Sequence, residues 1–257
     1  MKKQIPNIIT SLNILSGSIA VLFAVSGDFT NAAIFVFLGI FFDFFDGMAA
    51  RLLNVQSEIG LQLDSLADVI TSGLVPGIVM YQLLNRSHFG HLQNISDTFS
   101  SGWNTGLGNY IPLIGLLIVV ASAYRLAKFN VDTRQATGFI GLPTPANALL
   151  ILSLPLILEF QNSPTLESII LNKWFLIGLT LLSCILLNAE IRLFALKFKT
   201  WDLKTNLVRY IFLILSAALL IILKFLAIPI IILLYIGLSM FNHKDEKIEN
   251  RDSKFES

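Results

Sequence analysis

Four aspartates stand in an otherwise apolar stretch, FVFLGIFFDFFDGMAARLLNVQSEIGLQLDSLADVITSGLVPG: Asp43, Asp46, Asp64 and Asp68. An acidic side chain placed among lipid-facing residues is costly, so four of them in one short region require a chemical reason. Their register narrows the choice. On a helix of about 3.6 residues per turn, Asp43, Asp46, Gly47, Ala50 and Arg51 fall on one stripe. On the next helix Gly60, Asp64 and Asp68 recur every fourth residue and form a second stripe. The turn between residues 52 and 59 is short, which predicts two antiparallel neighbours aiming four carboxylates at one point.

Four anions in a low-dielectric pocket repel one another or take up protons, and divalent cations relieve both problems. With oxygen as the sole donor type and no nearby Cys or His, the expected ion is hard: Mg2+ or Mn2+, with Ca2+ able to occupy the same place. Gly47, Ala50 and Gly60 leave space for a bulky polar ligand, and Arg51 offers a fixed cation suited to phosphate oxygens. Two such ions bridging a pyrophosphate would stabilise the attacked phosphorus and the departing phosphate together. An ion-coupled transport relay and an intramembrane aspartyl protease are the competing readings. Neither explains an arginine and small residues on the same stripes.

The elements that must position these groups are membrane helices. Of the 257 residues 54% are hydrophobic and 14% charged, against roughly a quarter charged in soluble domains, and the mean hydropathy is +0.73. Apolar runs near 8–26, 30–51, 60–84, 110–130, 144–160, 173–189, 207–223 and 225–241 predict an all-α, polytopic transmembrane bundle of about eight spans. The basic then apolar start is read as a retained first span. With eight spans, every one of the 18 Lys and Arg except Arg86, Lys173 and Lys224 falls on the side holding both termini. The positive-inside rule makes that side cytoplasmic, in the cell membrane, and puts the aspartates there. The lone Cys184 permits no internal disulfide. His88 and His91 are read as part of a polar outer loop between residues 85 and 109, and residues 242–257 as a charged cytoplasmic tail, disordered or surface-lying. Residues 1–241 then form one catalytic domain.

Written as a string, the hairpin is D-x2-D-G-x2-A-R-x8-G-x3-D-x3-D, with Asp43, Asp46, Gly47, Ala50, Arg51, Gly60, Asp64 and Asp68 at the fixed positions. This resembles the signature of the CDP-alcohol phosphatidyltransferase family. The resemblance implies a helical, usually dimeric membrane enzyme with a di-metal site open to the cytoplasm, two ions being held by Asp43, Asp46, Asp64 and Asp68. It implies further that Asp68 is the general base. Gly47 and Arg51 would contact the CDP moiety with Ser57 beside them, and the opening PNIIT would bring Asn7 and Thr10 near the cytidine.

The segments LDSLADVITSGLVPG, YRLAKFN and FIGLPTPAN resemble the bacterial and archaeal phosphatidylserine synthases within that family. This implies CDP-diacylglycerol and L-serine as substrates, with Arg125, Lys128 and Asn130 as candidate contacts for the serine carboxylate or the lipid phosphate. Arg125 and Lys128 read equally as positive-inside anchors. The Gly141–Leu142–Pro143–Thr144–Pro145 run is expected to be a rigid turn. The resemblance covers roughly residues 1–147; the later spans are left to packing, dimerisation or lipid access. The expected reaction gives phosphatidylserine and CMP, with membrane lipids as surroundings, a homodimer as assembly and no nucleic-acid partner. Glycerol 3-phosphate, inositol or inositol phosphate is the alternative acceptor.

Overall fold

The computed structural model describes residues 4–92, 107–132, 139–161, 163–193 and 206–252. Several basic residues behind the orientation argument (Lys2, Lys3, Arg134, Lys197, Lys199, Lys204 and Lys254) lie outside them, as does most of the polar stretch after residue 92. Each of the eight expected segments is helical. In chain order the helices are α1 (Ile5–Ser26), α2 (Phe29–Leu52), α3 (Glu58–Asp68), a π-helical segment (Val69–Leu74), α4 (Val75–Phe89), a 3-10 segment (Leu107–Leu116) and α5 (Leu117–Val131). They continue with α6 (Thr144–Phe160), α7 (Pro164–Ile170), α8 (Lys173–Asn188), α9 (Leu207–Leu223), a 3-10 turn (Lys224–Leu226) and α10 (Ala227–Asp252).

Length and apolarity suit five helical runs among the described residues to crossing a membrane. The bent pair α7 and α8 makes a sixth if it is one span, and α6 is apolar but shorter. One of the five, Leu207–Met240, is continuous in composition yet folds back on itself. Phe212 and Tyr235 would lie about 34 Å apart on an unbroken helix, but their ring centroids are 5.7 Å apart. The reversal falls at Lys224, where φ is 51°. The backbone of α10 stays helical through Asp252, so the first part of the charged end continues the last helix.

Small residues let the helices approach, as membrane packing requires. α1 packs along α2 and touches both α3 and the π segment, burying Thr10, Asn13, Ser16, Gly17, Ala20 and Ala24. The π segment has a local cause. Pro76 has no N–H to give the carbonyl four residues back, and the Val75 N–H bonds to the Ile70 carbonyl, five residues back. At the far end of α5, strand β1 (Phe139–Ile140) pairs antiparallel with β2 (Arg192–Leu193), Phe139 opposite Leu193. Gly141, at φ 75°, donates its N–H to Ile191 O at 2.9 Å, and the chain turns into α6 there, the rigid turn expected.

Candidate active site

α2 carries Asp43 and Asp46 to its C-terminal end, and the chain reverses through Asn54, whose φ of 52° is left-handed. Ser57 then starts α3, its Oγ accepting from the Gly60 N–H at 3.0 Å, the usual role of an N-cap serine. Two turns on, Asp64 faces back across the gap. Asp43, Asp46 and Asp64 each offer a carboxylate oxygen, and the three atoms all lie within 4.8 Å of one another. Asp46 is buried and accepts from the Thr10 hydroxyl at 2.5 Å. Asp68, one turn beyond Asp64, is within electrostatic reach of Asp64, Asp46 and Arg125, and Asn13 adjoins it. It borders the trio without joining it.

At about 4 Å, two like charges oppose each other by about 4 kcal/mol at an effective dielectric near 20. One threonine hydroxyl does not balance three carboxylates. Asp64 Oδ1 is buried and has no hydrogen-bond partner among the described residues, as an atom meant for a cation would be. Oxygen donors of this number and charge fit a divalent cation of the magnesium, manganese or calcium kind.

Beside the trio is a cavity of about 540 Å3. Asn7, Thr10, Gly47, Arg51 and Ser57, the residues expected at the nucleotide, all line it with Asp46 and Asp64. A methyl group at Gly47 would meet nothing closer than an Arg51 nitrogen at 4.0 Å, so packing does not demand the glycine; the open space does. Arg51 is exposed, and its Nε donates to Gly47 O at 2.9 Å.

The three candidate acceptor contacts lie elsewhere. Arg125, only 7% exposed, approaches Asp68 from α5, and its Nε has no hydrogen-bond partner among the described residues. Lys128 pairs with Glu190 at 3.6 Å. Asn130 donates to Ser65 Oγ at 2.9 Å, which ties the end of α5 to α3. Arg125 and Lys128 border a separate narrow pocket with Asn188. The site thus has a nucleotide-sized side at α1–α3 and a cationic side at α5, with Asp64 and Asp68 between them.

Sequence reasoning brought Asn7 and Thr10 of α1 to the nucleotide side but missed three things here. The Thr10 hydroxyl bonds to Asp46 of the acid cluster. Asn13 and Thr71 are fully buried beneath the aspartates; Asn13 sits one turn after Thr10, a signal that was available. The π segment follows Asp68 directly, and Pro76 was its only mark in the sequence.

A family model described as CDP-alcohol phosphatidyltransferase matches residues 3–186. The chain belongs to the CDP-alcohol phosphatidyltransferase family. It is 32% identical over 169 residues to the CDP-diacylglycerol--serine O-phosphatidyltransferase of Bacillus subtilis, covering 64% of this chain and 80% of that protein. To the Helicobacter pylori protein of the same name it is 32% identical over 213 residues, 81% of this chain and 79% of the other. A Methanocaldococcus jannaschii protein, also so named, is 31% identical over 179 residues, 70% and 71% of the two chains. The expectation drawn from the aspartate signature holds: this is an integral membrane transferase of phospholipid biosynthesis. The family match ends within α8, so α9 and α10 lie beyond it.

Proposed function

We propose that this chain transfers the phosphatidyl group of CDP-diacylglycerol to the hydroxyl of L-serine, giving phosphatidylserine and CMP. The reading is carried by one observation: three carboxylates from two helices meet at the edge of a cavity lined by all five residues expected to hold CDP. The names of the three relatives, 31–32% identical to it over the aligned residues, support serine as acceptor.

In this mechanism Asn7, Thr10, Gly47, Arg51 and Ser57 hold the nucleotide, and the acyl chains remain in the bilayer. Two divalent ions, Mg2+ or Mn2+, held by Asp43, Asp46, Asp64 and Asp68, would supply Lewis-acid neutralisation of the pyrophosphate charge. Asp68 accepts the proton of the serine hydroxyl as its oxygen attacks the phosphorus bonded to the diacylglycerol. The bond from that phosphorus to CMP breaks, and CMP leaves with the electron pair. Arg51 offsets charge growing on the phosphate oxygens. Arg125, already beside Asp68, is suited to the serine carboxylate, whereas Lys128 and Asn130 are engaged by Glu190 and Ser65 and act on the acceptor side less directly. Residues 1–241 act as the catalytic unit, with residues 242–257 an appendage; both termini and the site face the cytoplasm, and the enzyme works as a homodimer.

The test uses purified protein in detergent with CDP-diacylglycerol, Mn2+ or Mg2+ and a panel of alcohols. Serine-dependent CMP release is the expected result. Release with glycerol 3-phosphate, inositol or inositol phosphate but not serine would replace the acceptor. No release with any alcohol would end the transferase mechanism and return ion-coupled transport to consideration.

A further inference from the structure

Beneath the aspartates, two polar side chains are sealed from every solvent path. Asn13 on α1 and Thr71 in the π segment are both 0% exposed. The Thr71 hydroxyl donates to Asn13 Oδ1 at 2.7 Å. This bond fixes which way the amide points, because its oxygen is committed to Thr71 and its nitrogen must face the other way. The Asn13 nitrogen is buried and has no hydrogen-bond partner among the described residues; the carboxyl nearby is that of Asp68. A buried amide donor without an acceptor costs about 1–3 kcal/mol, so its retention beside a carboxylate calls for a role.

The packing is arranged around this pair. A methyl group on Gly39 of α2 would lie 2.6 Å from Thr71 Cγ2 and 2.8 Å from Asn13 Oδ1. The slip to π hydrogen bonding begins at the residue after Asp68 and carries Thr71, three residues on, against α1. One turn earlier on the same helix, Thr10 serves Asp46.

We infer that Asn13, held by Thr71, is a positioning residue for Asp68: its amide nitrogen orients the carboxyl that takes the proton from the acceptor hydroxyl. Hydrogen bonds of this kind are commonly long in the free enzyme and tighten when substrates are bound. The inference rests on the reading of Asp68 as base. Neither Asn13 nor Thr71 touches the substrates; they act through Asp68, and the effect belongs in turnover rather than in binding.

The experiment measures kcat and both KM values for serine-dependent CMP release by the full-length protein. Asn13→Ala is expected to lower kcat by about 10- to 100-fold, with both KM values within about two-fold of wild type. Thr71→Val, which keeps the shape and removes the hydroxyl, should lower kcat by about 3- to 10-fold, and Thr71→Ser should recover most of that loss. In the double variant Thr71→Val should add nothing to Asn13→Ala, because the hydroxyl acts only through the amide. Wild-type kcat in Asn13→Ala overturns the inference, as do independent, multiplying effects in the double variant. If Asn13→Ala does not fold, the Val and Ser pair at Thr71 decides alone: equal kcat values overturn it. Asp68→Asn separates the two levels. An active Asp68→Asn removes the base itself, whereas an inactive one alongside a fully active Asn13→Ala removes the positioning role only.

Discussion

α1 and α9 are both apolar enough for the membrane, yet they bury opposite kinds of residue. α1 turns Pro6, Thr10, Asn13, Ser16 and Gly17 inward and leaves Ile8 59%, Leu15 56% and Leu22 71% exposed. α9 buries only Phe212 and leaves Ile214 70%, Ile221 81% and Ile222 73% exposed. In water the large apolar residues would go inside. In lipid they gain nothing by doing so, and close approach of small residues with hydrogen bonds between polar ones decides which face is interior. A polar stripe on an apolar helix therefore marks both the packed side and the chemistry, and α9 has no comparable stripe.

The sharpest break in that contrast is at the aspartates. Asp64→Asn keeps the size of the side chain and removes its charge from the trio. CMP release should fall by about 1000-fold or more, the scale of losing a preorganised electrostatic group. Chelation of divalent ions with EDTA should stop the wild-type enzyme, and added Mn2+ should restore it. Activity of Asp64→Asn within ten-fold of wild type would mean the carboxylate cluster is not the reaction centre, leaving α1 with a packing role alone.

How far the sequence alone reached follows the same division. The stripes Asp43–Asp46–Gly47–Arg51 and Gly60–Asp64–Asp68 were legible because helical periodicity and membrane cost are local properties. The structure brings three of the four acids together on that basis, and the five residues expected at the nucleotide share one cavity. Thr71 meeting Asn13 was not legible, since it depends on a register slip at Pro76 and on three segments converging. Nor was the pairing of Lys128 with Glu190, which joins the ends of distant helices. Hydropathy gave the helices and also the break at Lys224 between residues 207–223 and 225–241; the positive φ there and the Phe212–Tyr235 contact are the form that the expected reversal takes.

Two glycines on α2 divide packing from ligand space. Gly39→Ala drives a methyl group into Thr71 and Asn13, and overpacking of this kind costs about 1–3 kcal/mol; a lower thermal midpoint in detergent should report it. Gly47→Ala meets open space and gains the better helix former, worth up to about 1 kcal/mol, so its midpoint should hold or rise. Its kcat/KM for CDP-diacylglycerol should nevertheless drop by about 10-fold, because the methyl group occupies the cavity. If Gly47→Ala loses stability and keeps its kcat/KM, the two glycines do the same job and the distinction fails.

Arg51→Lys is a milder change. The side chain is exposed and, among the described residues, makes one hydrogen bond, within its own helix, so stability should not move. A point charge replaces a planar fork that can grip two phosphate oxygens, and KM for CDP-diacylglycerol should rise by about 5- to 10-fold. An unchanged KM would place Arg51 outside the nucleotide site.

The smallest effect is expected on α9. Ile221, 81% exposed, contacts lipid when the protein is folded, and in a membrane it contacts lipid when the helices are apart as well. Removing its outer carbons should then cancel between the two states. Ile221→Ala should shift stability by less than about 0.5 kcal/mol and leave CMP release unchanged, measured in bilayer nanodiscs rather than detergent so that lipid is the reference. A marked loss there would mean that this face is covered in the working enzyme, and the surface on which α9 differs from α1 would become the first place to look for the contact between two subunits.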